Sequence, residues 1–132
     1  MTNKSEITIS QNNGNLPATR KNVLERYVTP SADVAETPDA FVLMIDIPGA
    51  EKETISVSIA KDTLTITAPV KPHYKDNAKV LFSELRSTTY YRVFALGDGV
   101  DRDAVDAHYE DGVLQVRLSK TEKMKPREIS IQ

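Results

Sequence analysis

The sequence predicts an all-β fold, an antiparallel β-sandwich, and two observations carry that reading. Several short runs alternate apolar and polar side chains with a period of two. Turn residues punctuate the chain between those runs, as in sandwiches built from short strands.

Residues 1–29 are polar and mixed and read as a flexible, partly disordered N-terminal arm. "QNNGN" is a turn or disorder signal. "ATRKNVLERYV" predicts a short helix, with Val23, Leu24 and Tyr27 on helical spacing, too short to be stable alone. The texture changes at Pro30, where a domain spanning 30–120 begins.

"FVLMIDI" (41–47) is a strand rich in β-branched and aromatic residues, closed by Pro48-Gly49. "TISVSIA" (54–60) places Ile55, Val57 and Ile59 on one face and serines on the other. "TLTITA" (63–68) aligns Leu64, Ile66 and Ala68, and Lys61-Asp62 supplies a two-residue hairpin connection between these runs. "TTYYRVFAL" (88–96) is a further strand. "AVDAHYE" (104–110) puts Val105, Ala107 and Tyr109 on one face. Asp111-Gly112 is a strong turn signal, and "VLQVRLS" (113–119) follows with Leu114, Val116 and Leu118 in phase.

One segment breaks this rhythm. Residues 69–87 form a long, charged connection with an isolated apolar knot at Val80, Leu81 and Phe82. Connections of this length inside a compact domain are usually functional. A strand near 80–85 without a local partner is suited to pairing with another subunit. The alternative is a loop folded back on its own domain. Residues 121–132 form a charged C-terminal extension with Pro126, ending in "KPREISIQ" with Ile129 and Ile131 one residue apart.

Composition narrows the function classes. The 132 residues suit one domain, with 39% hydrophobic and 27% charged residues. A net charge of -2 argues against nucleic-acid binding through a basic face. The chain has no cysteine, so disulfides and thiolate chemistry are excluded. The N-terminus has no apolar signal-peptide core, and no run approaches the ~20 apolar residues of a membrane helix. The expectation is a cytoplasmic protein that requires no membrane. No G-x-S-x-G elbow, H-E-x-x-H motif or phosphate-binding glycine loop occurs, so neither an enzyme nor a cofactor is expected.

Other chemistry-bearing residues read as ordinary surface. Asp98, Asp101, Asp103 and Asp106 lack the spacing of a calcium loop and are read as turn and cap residues on a solvated loop. His73 and His108 are read as surface histidines; His108 is out of phase with Val105 and Ala107 and is expected to face away from their surface. Arg92 lies between apolar neighbours, either as an ion pair near an interface or as a snorkelling surface arginine.

Five stretches in this order resemble the small heat shock proteins, bacterial type, which share an α-crystallin domain. The strongest is Ala107-x-x-x-Asp111-Gly112-Val113-Leu114. The others are Pro30-x-x-Asp33-Val34-x-Glu36-Thr37, Asp46-Ile47-Pro48-Gly49, the run Tyr90-x-Arg92-x-Phe94-x-Leu96, and Ile129-x-Ile131. Gly97 stands where the family often has proline, Tyr90 replaces the more usual phenylalanine, and the arm is short.

The resemblance implies an immunoglobulin-like sandwich without catalytic sites. It implies a homodimer in which the loop strand, carrying Val80, Leu81, Phe82, Glu84 and Arg86, pairs with the partner's Ala32, Val34 and Glu36 region. It implies a tail that docks Ile129 and Ile131 between the 54–60 and 104–109 strands of a neighbour, against Ile55, Val57, Ile59, Val105 and Ala107. A tail held on its own subunit, or disordered, is the other disposition. The family's arginine at position 92 favours the interface ion pair. The implied activity is an ATP-independent holdase that binds unfolding client proteins within a homo-oligomer. A co-chaperone domain of the p23 or CS type uses a similar sandwich for one specific partner, but has no use for the isoleucine tail or the strand-bearing loop.

Overall fold

The computed structural model describes residues 7–9, 26–126 and 131. Among the described residues nine strands form two sheets. β1 (Ile7–Ile9), β2 (Arg26–Val28), β5 (Ser56–Ala60), β6 (Thr63–Val70) and β7 (Thr88–Leu96) build the first. β3 (Ala32–Glu36), β4 (Ala40–Asp46), β8 (Val100–Glu110) and β9 (Val113–Lys120) build the second, in the order β3-β4-β9-β8.

The period-two pattern is the pattern of burial. Phe41, Leu43, Ile45 and Ile47 from β4 and its end meet Leu64, Ile66, Phe94, Leu114, Val116 and Leu118 in one core between the sheets. Each such side chain contributes ~1.5–3 kcal/mol through burial. The hairpins close as the turn chemistry requires. Ala60 pairs with Thr63 across Lys61-Asp62, and Glu110 with Val113 across Asp111-Gly112. Asp111 and Gly112 both have positive φ, 53° and 80°, which a two-residue primed turn needs.

Gly112 is constrained twice. A Cβ there would lie 3.3 Å from the Pro48 Cα, because the Ile47 amide donates to the Gly112 carbonyl at 2.9 Å. Two motifs of the sequence, at 46–49 and 107–114, are therefore joined in space.

Three expectations are corrected. Residues 26–28 form no helix: Arg26–Val28 pairs parallel with β7 through Thr88–Tyr90. The free edge of β7 supplies hydrogen-bond partners that outweigh the weak helical spacing. The rest of the expected helix, 18–25, lies outside the described residues, as does most of the arm. Second, β8 begins at Val100 rather than 104, with a register irregularity between Val100 and Val105. Third, Asp101, Asp103 and Asp106 lie within β8, not on a loop; the Asp103 amide donates to Asp101 Oδ1 at 3.0 Å in the irregular stretch. No described helix is long and apolar enough to cross a membrane.

Candidate functional site

Among the described residues β5 ends one sheet and β8 ends the other, and their two unpaired edges flank a groove. Its volume is about 260 Å³. Ile55 and Val57 from the β5 side and Ala107 from β8 line it. Ile59 and Val105 are half-buried against the core and do not line it.

The sequence reading missed Lys52, Tyr109 and Leu114 in the groove wall. Tyr109 was legible, since it shares the phase of Val105 and Ala107. Its hydroxyl donates to the carbonyls of Ile47 and Ala50 at 3.2 and 3.0 Å, which pins β8 to the β4–β5 connection. His108 also borders the groove, contrary to expectation. Its ring lies 3.2 Å from Glu110 Oε1, two residues along the strand, and is largely exposed. It therefore forms a polar rim to an apolar trough.

Arg102 secures the opposite end. Its guanidinium donates to the carbonyls of Lys61, Gly97 and Val100 and reaches Asp62 Oδ1 at 2.8 Å. That one side chain ties the β5–β6 turn to the β7–β8 connection.

β3 is the edge of the second sheet and pairs with β4 alone among the described residues. Ala32 is half-buried, while Val34 and Glu36 are exposed. Residues 71–87 contain no strand or helix. Within them Leu81 and Phe82 are 86% and 81% exposed, with Val80, Glu84, Leu85 and Arg86 also open to solvent. Contiguous large apolar side chains in that state mark an interaction surface. Ile131 is 97% exposed, and Ile129 lies outside the described residues.

Arg92 makes no ion pair among the described residues. It shares the phase of Phe94 and Leu96, so it points between the sheets. Its Nη1 donates to the Pro30 carbonyl at 2.5 Å and its guanidinium lies 5.3 Å from the Phe94 ring centre. Among the described residues its Nε is buried without a partner, and desolvation holds its pKa below the usual arginine range. Tyr90 uses the hydroxyl that phenylalanine lacks to donate to the Pro48 carbonyl at 3.2 Å. Among the described residues no group of three or more His, Cys, Asp or Glu is placed to hold a metal ion.

Known proteins resemble the chain in both sequence and fold. The model of the Hsp20/alpha crystallin family matches residues 33–132. A probable 15 kDa heat shock protein of Leptospira interrogans is 33% identical over 96 residues, covering 72% of each chain. An 18 kDa antigen of Mycobacterium avium is 33% identical over 93 residues, 70% of this chain and 67% of the antigen. The chain spans only 60–62% of two further mycobacterial antigens that it matches. Among solved structures, heat shock protein 16.0 of Schizosaccharomyces pombe aligns with a TM-score of 0.62 at 29% identity, over 80% of this chain and 77% of that one. A small heat-shock protein of Xylella fastidiosa aligns with a TM-score of 0.61 at 29% identity, over 80% of this chain and 97% of that one. With the matched region running through both sheets, the groove and the tail, the chain belongs to the Hsp20/α-crystallin family of small heat shock proteins.

Proposed function

We propose that this protein is an ATP-independent holdase that binds unfolding proteins and suppresses their aggregation under heat or other stress. Family membership supports a chaperone role in general. The observation that carries the finer reading is the open apolar groove between β5 and β8. Unfolding clients expose apolar surface and unpaired strand edges. A protein that captures them needs apolar troughs and edges that are normally covered and can be uncovered.

The tail supplies the cover. In an extended segment Ile129 and Ile131 point to one side, towards a wall of Ile55, Val57 and Ala107. Each buried isoleucine contributes ~1.5–3 kcal/mol. Ordering the linker costs ~1–2 kcal/mol per residue fixed. One tail therefore binds weakly and exchanges, while many together hold an assembly. The dimer beneath that assembly forms when the 80–86 segment adds to the partner's β3 edge, its apolar side chains setting the register. In that dimer Arg92 is the candidate for an ion pair with a carboxylate of the partner. A cytoplasmic setting is typical of the family and suits this role.

The test is to heat a model client with and without the full chain and follow light scattering. Suppression at near-stoichiometric ratios without ATP is expected. Unchanged scattering sinks the proposal.

A further inference from the structure

A second cavity, of about 460 Å³, lies at the root of the long loop, away from the β5–β8 groove. Its floor is apolar: Val28 of β2, Val70 at the end of β6, Leu85 of the loop and Tyr90 of β7. Three cationic side chains stand around it, Arg26, Lys71 and Arg86, and among the described residues no carboxylate lines it. None of the three is in an ion pair among the described residues. This concentration of positive charge is set against a chain of net charge -2.

The volume falls in the range of sites that bury a small ligand, roughly 300–1,000 Å³. An apolar floor with an unpaired basic rim selects an amphiphilic anion. A wholly apolar segment leaves the rim unanswered, and a basic one is repelled. We infer that this cavity docks short client segments in which a carboxylate neighbours large apolar side chains, and so gives the protein a preference for acidic over basic clients. The inference rests on the holdase reading and adds a charge filter to it. Arg26 lies on the arm strand and Lys71 at the start of the loop, both clear of the 80–86 segment, so an occupant bridges arm and loop.

The test uses the full chain and two labelled peptides with identical apolar residues, one carrying two glutamates and the other two lysines. Fluorescence anisotropy reads their binding to the wild type and to the R26Q/K71Q double variant, whose substitutions are exposed and outside the 80–86 segment. The acidic peptide is expected to bind about tenfold more tightly, an advantage that shrinks in raised salt and vanishes in the double variant. Methyl signals of Val28, Val70 and Leu85 should shift on binding. Equal affinities, a preference that survives R26Q/K71Q, or shifts confined to Val57 and Ala107 would overturn the inference. Light-scattering suppression measured beside it separates the two ideas. If suppression persists without a charge preference, only the filter fails; if suppression itself is absent, the holdase reading fails.

Discussion

Lys120, the last residue of β9, places its Nζ 2.6 Å from Glu36 Oε2 on the edge strand β3. The lysine side chain is only 6% exposed, whereas that of Glu36 is 45% exposed. The same ammonium lies 5.1 Å from the centre of the Phe41 ring. A buried cation is therefore held beside the core by one half-open carboxylate, and the edge strand is tied to the sheet interior. Glu36→Gln removes the counter-charge while keeping the shape. Because Glu36 is partly solvated, the cost is about 1–2 kcal/mol rather than that of breaking a fully buried pair. Urea denaturation should show this loss, and E36Q/K120M should recover much of it. A wild-type midpoint for E36Q would mean that water, not Glu36, solvates the ammonium.

Gly112 is the second stability test. Any side chain there meets both a φ of 80° and the Pro48 backbone at 3.3 Å. Gly112→Ala should cost at least ~1–2 kcal/mol, the penalty of a left-handed L-residue, with the clash added. Asp111→Gly, at φ 53°, should be neutral or slightly stabilising. The pair of midpoints checks both, and a neutral G112A would show that the 46–49 segment can retreat.

The tail is tested by Ile129→Ala with Ile131→Ala. Size exclusion should show a smaller or looser assembly, with the thermal midpoint of the sandwich unchanged. Ala107→Asp should give the same smaller species from the socket side, since it places a charge in the apolar trough. If both variants elute as the wild type does, the groove and tail do not build the assembly.

The loop is tested by Leu81→Ser with Phe82→Ser. These side chains are so exposed in the single chain that the substitutions should leave its fold intact. Sedimentation velocity should instead show dissociation towards monomer. A dimer of unchanged stability would place the subunit contact elsewhere.

The strands and the core were legible in the sequence because burial on a sheet is a local matter. Alternation decides which side chains share a face, and Leu64, Ile66 and Ala68, like Leu114, Val116 and Leu118, lie together in the core. The same alternation put Ile55 with Val57 and Val105 with Ala107, while that their strands flank one groove was implied by the family resemblance. Which edges meet is not local. The arm strand Arg26–Val28 exists because β7 offers it an open edge, a circumstance that no property of "RYV" encodes. The Tyr109 bonds to Ile47 and Ala50, the Lys120–Glu36 pair and the contact of Gly112 with Pro48 join segments far apart in the chain. Only the packing of one sheet on the other decides them, because a hydrogen bond or an ion pair needs ångström-scale placement while burial needs only the correct face.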